Sequence, residues 1–473
     1  MSCFPDCRRR RLADLLVLSA LVLAVPPACV MVERGERSST LMLKGTYRMQ
    51  DKNLDAADQT YAKIGEHDPE YVPALVQRGL ITAMRGDIEG GLAIMKRAEA
   101  VNPNKFDKPK NRAYNAVYQR HLTQAHIEVS DPQLVLAGGG FVVNIDRDAR
   151  ATVFDETSGK PVWSQSLTSG SEESLIAGGV LITVTHEGKH RDVTAFTLAS
   201  GQVIWRVPLT SRELVPLAAD ATTVYIGDAL EERGQRAGYH IRAFELATGT
   251  PRWTTPLESR PGPLGLGDGR LVLRTHDGVV HALRAADGAP LWHVTLPPQV
   301  EDQPDRIVVA RDMAFVATAS GALYALDATE RVYDRPLERV RWQTPATRFR
   351  DGRSTPAVIG DLVVIIDERG FVGLELTTGT PRWERALPIR REGYSCEAHG
   401  DVVIGHLEGG VVAIERSGKL RWIFQEASTL GGWDSWSPGY RRPAVTDAGV
   451  WVDVNSNSSH ALHRLAFAPK VPY

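Results

Sequence analysis

From about residue 130 onward, short apolar and β-branched runs alternate with tight polar turns, and the whole arrangement repeats. The clearest unit spans Ser354 to Leu387. In it, Ala357 to Ile359 precede a Gly360-Asp361 turn, Leu362 to Ile366 precede Asp367-Glu368-Arg369-Gly370, Phe371 to Leu376 precede Thr377-Thr378-Gly379, and Pro381 to Leu387 close the unit. Runs of this length and composition, bounded by Gly- and Asp-bearing turns, are strand signals, and four in succession predict one blade of a β-propeller.

The end of the unit carries a signature: an Ala-Leu-Asp-like strand end, a Thr-Gly turn, and a Trp four residues after the Gly. It recurs at Gly159/Trp163, Gly201/Trp205, Gly249/Trp253, Gly288/Trp292, Gly379/Trp383 and Gly418/Trp422. A further copy reads Ala325-Leu326-Asp327, then an insertion, then Trp342. The glycine permits the positive φ that a hairpin turn needs. Each Trp is large enough to cover its blade where it meets the next, so Trp163, Trp205, Trp253, Trp292, Trp342, Trp383 and Trp422 are the expected blade-docking residues. An eighth unit follows (Pro443 to Val445, Val450 to Val454, Ala461 to Ala466) without a Trp-bearing fourth strand. A closed ring cannot leave that edge bare, and the alternating segment Ala125 to Ser130 is expected to supply the missing strand. The expected fold is thus mainly β: an eight-bladed propeller of four-stranded blades over residues 125–467.

This pattern resembles the PQQ-repeat propellers. That superfamily contains quinoprotein dehydrogenases and non-catalytic members, notably the BamB-like outer-membrane assembly lipoproteins. WD-repeat propellers match less well, because no Trp-Asp pair ends the units. Fold alone does not choose between the branches. In the dehydrogenases, the resemblance implies a quinone held over a Trp and under a disulfide of adjacent cysteines, with Ca²⁺ ligated by Glu, Asn and Asp. Here no two cysteines are adjacent, no haem motif occurs, and Cys396 is the one cysteine of the propeller region. The sequence therefore supports no cofactor, no catalytic residue and no metal site. The alternative, a quinone-dependent dehydrogenase or another ligand-binding propeller, is kept beside this reading.

Other local patterns are turn chemistry. Asp146-Arg147-Asp148 lacks further ligands at the spacing of a Ca²⁺ loop and reads as a solvated hairpin turn. Gly138-Gly139-Gly140 joins two strands and opens no helix, so a β-turn accounts for it better than a phosphate cradle. His460 and His463, three apart in a strand, face opposite sides and cannot chelate one ion together.

The first quarter of the chain differs. Arg8 to Arg11 precede Leu15 to Val25, an uncharged apolar run too short to span a bilayer and of the right length for a signal-peptide core, so residues 1–28 read as a cleaved signal. Pro26-Pro27-Ala28-Cys29 resembles a bacterial lipobox at its Ala-Cys step, which makes Cys29 the candidate lipidation site. The alternatives are an uncleaved anchor or a plain secretory signal cut nearby. Between residues 38 and 104 a period of 34 is countable: Leu41 and Leu75, Gly45 and Gly79, Ala57 and Gly91, Pro69 and Pro103. This resembles the tetratricopeptide repeat, with Tyr61 and Ala98 at the family's large and small positions. Asp107 to Thr123 reads as a capping helix, so a tetratricopeptide-like helical arm is expected over 38–123, either as a peptide-binding groove or as a structural arm.

Charge changes the picture only locally. With 55 Lys+Arg against 57 Asp+Glu there is no global positive field for nucleic acid, and none is expected as a partner. In a propeller, inter-blade connectors and middle hairpins emerge on one face. The connectors after the first four blades carry Glu172, Glu173, Glu213, Glu258, Glu301, Asp302 and Asp305 against Arg212, Arg260 and Arg306. Those after blades five to seven carry Arg348, Arg350, Arg353, Arg390, Arg391, Arg441 and Arg442 against Asp351, Glu392, Glu426 and Asp434, with Phe349, Tyr394, Trp433, Trp436 and Tyr440 among them. Arg and aromatic residues are what interfaces favour. The candidate partner-binding set is therefore Arg348, Arg350, Arg353, Arg390, Arg391, Trp433, Trp436, Tyr440, Arg441 and Arg442, the alternative being ordinary solvated loops. Together with the resemblance, these features imply an exported, periplasmic scaffold, outer-membrane-anchored through a lipid, whose partners are envelope proteins and in particular the outer-membrane assembly machinery.

Overall fold

A computed structural model of the chain describes residues 27–51, 53–101, 123–167, 174–187, 190–210, 215–232, 235–296, 307–318, 321–345, 355–367, 370–386, 393–407, 410–425, 442–456 and 459–467. The chain divides into two compact units, residues 1–117 with 471–473, and residues 118–470.

The first unit is a small helical region of α1 (Pro27–Gln50), α2 (Leu54–Tyr61), α3 (Tyr71–Met84) and α4 (Ile88–Val101). Asn53 starts α2 by accepting from the Ala56 amide at 3.1 Å, which satisfies one of the helix's unpaired donors. Small residues set how closely the helices approach. A Cβ added at Gly45 would strike the Tyr61 ring, and one at Gly91 would lie 2.6 Å from the Gly79 carbonyl oxygen. Ala57, Tyr61, Ile81 and Ala98 are essentially inaccessible and form the core between the helices. The proposed capping helix at Asp107 to Thr123 falls almost entirely outside the described residues, as do residues 1–26.

The second unit is a propeller of eight antiparallel sheets of four strands each. Seven blades run through the sequence in simple order from the inner to the outer strand; the first consists of Pro132–Gly138, Phe141–Asp146, Arg150–Asp155 and Pro161–Ser166. The eighth is composite: Ala444–Thr446, Gly449–Ser456 and Ser459–Leu465 are completed on the outside by Thr123–Val129 from the other end of the unit. The closing strand is the one expected from the alternation at Ala125, although it starts at Thr123 and ends at Val129. It pairs antiparallel with the last strand, Ile127 opposite Leu462 and Val129 opposite His460.

The repeated Trp has a steric counterpart in register. Trp205, Trp253, Trp292, Trp342 and Trp422 stand opposite Ala195, Ala243, Ala282, Ala325 and Ala413, Trp383 opposite Gly373, and Trp163 opposite Val153. In each case a β-bulge follows immediately. A small partner leaves room for the indole, and the bulge adds twist that turns it towards the next blade. The apolar cores accordingly lie between blades. One cluster joins Val272, Val280, Trp292 and Val294 of the fourth blade to Ala314, Val316, Tyr324 and Leu326 of the fifth.

Blade five interrupts the rule between Asp327 and Trp342, where a short 3₁₀ turn (Pro336–Arg339) sits in an inserted loop. Arg339 is buried and donates to the carbonyls of Asp327 at 2.7 Å and Thr329 at 2.9 Å. Its guanidinium lies 4.4 Å from the Trp292 ring and 4.9 Å from the Tyr333 ring. Burial alone would raise the Asp327 carboxyl, but donors from Thr329, Tyr333 and Arg341 outweigh it and hold the group well below the usual carboxylate range.

Candidate functional site

Each of the seven repeated Trp side chains spends its polar atom on the following blade. The indole nitrogens donate to main-chain carbonyls: Trp163 to Leu198 at 2.7 Å, Trp205 to Leu246 at 2.8 Å, Trp253 to Ala285 at 3.0 Å, and Trp292 to Ala328 at 3.3 Å. Trp342 donates to Leu376 at 2.8 Å, Trp383 to Arg416 at 3.0 Å, and Trp422 to Phe467 at 3.0 Å. The turn glycine of the next blade lies against the ring: a Cβ at Gly249 would sit 2.6 Å from Trp205 Cγ, and one at Gly418 2.6 Å from Trp383 Cδ2. With φ near 70° at Gly249, both the conformation and the ring require glycine there.

The seam between blade eight and blade one is built differently. Ile127 takes the ring's place against Gly159, whose added Cβ would lie 3.4 Å from Ile127 Cγ1. The carbonyl of Glu156, equivalent in register to those of Leu198 and Leu246, accepts instead from Arg464 at 3.2 Å. The Glu156 side chain is itself buried at 7% exposure and accepts from Thr446 Oγ1 at 2.6 Å and Trp451 Nε1 at 3.0 Å. Arg464 also lies 5.7 Å over the Trp451 ring. A polar network therefore replaces the indole lock where the ring closes.

On the outer edge of blade eight, His126 of the closing strand pairs directly with His463 of the last strand. Their Nδ1 and Nε2 atoms are 3.1 Å apart and the rings meet edge to face. Burial, reinforced by the neighbouring His126, pushes the His463 imidazole down to about 4. His460 stands on the other face of the strand, 3.7 Å from Asp131.

The connector face is described only in part. Arg348, Arg350, Arg353, Arg390, Arg391, Trp433, Trp436, Tyr440 and Arg441 lie outside the described residues, as do Glu172, Glu173, Glu301 and Asp302. Arg442 is described, and its guanidinium is ion-paired with Glu397 at 2.9 Å. Cys29 lies in the first turn of α1, its side chain outside the described set. One feature of this face was not read from the sequence. Among the described residues, the middle hairpin of blade three, Thr223–Glu232 with Gln235–Glu245, has the longest strands of the propeller. Its base is fixed by buried Asp228, which accepts from Arg242 at 2.8 Å and from the Thr210 amide at 3.0 Å, while Arg242 also donates to the Pro208 carbonyl at 3.0 Å. The polar run Glu231-Glu232-Arg233-Gly234 was the available sequence signal.

The remaining candidates are structural in their contacts. Asp146 accepts from Ser130 Oγ at 2.7 Å and the Arg150 amide at 2.8 Å, capping its own hairpin. Gly139 and Gly140 form a positive-φ turn between strands. Cys396 is buried at 2% exposure, and burial pushes its thiol up. Among the described residues no group of three His, Cys, Asp or Glu side chains is placed to hold a metal ion, and no helix is long and apolar enough to cross a membrane.

Sheet order, blade register and indole locks together define a closed eight-bladed β-propeller of four-stranded blades. The sequence profile described as outer membrane protein assembly factor BamB matches residues 117–236 and 237–464. The chain therefore belongs to the BamB family. A curated relative, the outer membrane protein assembly factor BamB of Burkholderia pseudomallei, is 24% identical over 296 residues, which is 58% of this chain and 73% of the relative. Among solved structures, BamB of Moraxella catarrhalis superposes with a TM-score of 0.50 at 16% identity, covering 72% of this chain and 99% of that one. A quinohemoprotein alcohol dehydrogenase of Comamonas testosteroni superposes with a TM-score of 0.52 at 10% identity, covering 75% and 78%. At these identities the two structures speak to fold alone.

Proposed function

We propose that this protein is an exported, non-catalytic scaffold of the bacterial cell envelope that works beside the outer-membrane protein assembly machinery, held at the membrane by a lipid on Cys29. The observation that carries the reading is the family match, which runs through the propeller in two segments, residues 117–236 and 237–464. The relatives in that family are outer-membrane assembly factors by name. The connector face is the proposed contact surface, with Arg348, Arg350, Arg353, Arg390, Arg391 and Arg441 and with Trp433, Trp436 and Tyr440 as its proposed contact residues, a reading that rests on their positions in the inter-blade connectors of the sequence. Arginines there steer association, and the tryptophans act as anchors. The helical unit, read as two tetratricopeptide-like repeats, adds a second arm to the scaffold.

The test is crosslinking in intact cells followed by purification from native membranes. Recovery of outer-membrane assembly components with the wild type, weakened by Arg390→Glu with Arg391→Glu chiefly at low salt and by Trp433→Ala with Trp436→Ala at every salt concentration, supports the reading. Recovery of none, or equal recovery with all variants folded, overturns it. Cys29→Ser is expected to release the protein from membranes.

A further inference from the structure

The two ends of the propeller meet at one pair of titratable rings. His126 lies on the strand that precedes blade one and His463 on the last strand of blade eight, 337 positions apart in sequence. They are direct cross-strand partners, so both side chains leave the sheet on one face. His126 is exposed, as is Glu128 two positions further along the same side, while Ile127 between them is buried. Val452 backs His463 from the inner neighbour strand.

Their facing nitrogens are 3.1 Å apart. A metal at the usual distance of about 2.0–2.1 Å from imidazole nitrogen would see the pair at roughly 98°, between the octahedral and tetrahedral angles. Both rings turn out of their hydrogen-bonded contact to aim the lone pairs at one point, and the His126 ring is exposed. We propose that His126 and His463 form a two-histidine site for a divalent transition metal ion, Zn²⁺, Ni²⁺ or Cu²⁺, that staples the closing strand to the last strand of the chain. Imidazole suits these ions, and water completes the shell. Because the two ligands converge only when the ring is closed, binding favours the closed state by linkage.

The experiment uses tag-free mature protein, melted with and without Zn²⁺ or Ni²⁺, and titrated with Ni²⁺. In the wild type the ion raises the melting temperature and binds at one site. His126→Ala, at an exposed position that leaves the fold intact, abolishes the rise and weakens Ni²⁺ by at least about tenfold. His126→Asn behaves in the same way. His460→Ala, on the opposite face, retains the full response. Cu²⁺ bound to the wild type shows coupling to two imidazole nitrogens in its electron paramagnetic resonance spectrum, and to one in His126→Ala. A wild type with no metal-dependent rise, or a His126→Ala protein that keeps it, overturns the proposal.

Discussion

Arg464 donates to the main-chain carbonyl of Glu156 at 3.2 Å, the position that an indole nitrogen fills at each of the other seven seams. The exchange matters because the Glu156 carboxylate is buried with two donors aimed at it, Thr446 and Trp451. Glu156→Ala strands both donors in a dry seam and is expected to cost about 2–4 kcal/mol. Glu156→Gln keeps an acceptor oxygen and recovers most of that loss. Urea unfolding followed by tryptophan fluorescence measures both, and an Ala variant as stable as the wild type would remove the seam network from the account.

At the ordinary seams the indole and the glycine act together. Trp205→Phe keeps the ring and leaves the Leu246 carbonyl without its donor, which is expected to cost about 1–3 kcal/mol; Trp205→Ala adds a cavity and raises the loss to about 3–5 kcal/mol. Gly249→Ala forces a side chain into a left-handed φ and against the same ring, and is expected to destabilise by at least about 1 kcal/mol. If Gly249→Ala and Gly86→Ala cost the same, ring contact contributes nothing, since a Cβ at Gly86 meets no atom within 4 Å and its φ is likewise positive.

Closure itself is testable by truncation. A chain beginning at residue 133 lacks the whole outer strand Thr123–Val129 and exposes the edge of Ser459–Leu465. It is expected to unfold with low cooperativity, whereas a chain beginning at residue 120 melts in one transition without the helical unit. Matching calorimetric profiles for the two would refute the closure scheme.

Burial pushes the His406 imidazole down to about 4 from its ordinary 6.5. Below 6.5 the unfolded chain takes up a proton that the folded one resists until about 4, so this group's contribution to stability is complete above 6.5 and is lost as pH falls through that window. The loss approaches about 3 kcal/mol. His406→Gln is expected to flatten this part of the stability–pH curve between pH 7 and 4; an unchanged slope in paired denaturant titrations would show that the ring is not the source.

The blades were legible because their information is local. A turn glycine, a small residue and a Trp recur at short spacing, and the bulge that aims the indole follows from the same register. The closing strand was legible by elimination, since a fourth strand was missing from the last unit. The seam it forms was not. Glu156 reads as one more polar turn residue in Asp155-Glu156-Thr157-Ser158-Gly159, and its partners Thr446, Trp451 and Arg464 are about three hundred positions away. Its one signal is a partial contrast, because Leu198, Leu246, Ala285, Ala328, Leu376 and Phe467 occupy the equivalent place at six of the other seven seams, while Arg416 occupies it at the seventh. His463 was weighed against His460, its neighbour in sequence, and its actual partner His126 was invisible for the same reason. The insertion after Asp327 was evident as a gap, but not the stacking of Arg339 between Trp292 and Tyr333, which depends on the preceding blade.

The composite eighth blade also sets an order of events in time. Thr123–Val129 leaves the ribosome or the export channel long before Ser459–Leu465, its partner in the sheet. At about 5–20 residues per second, the early strand waits roughly twenty seconds to a minute with both edges unpaired. During that interval seven blades can stack one upon another, yet no ring exists. Such a chain is a substrate for holding chaperones, and its final step is a single long-range docking, slow for its entropy of closure and decisive for escape from aggregation.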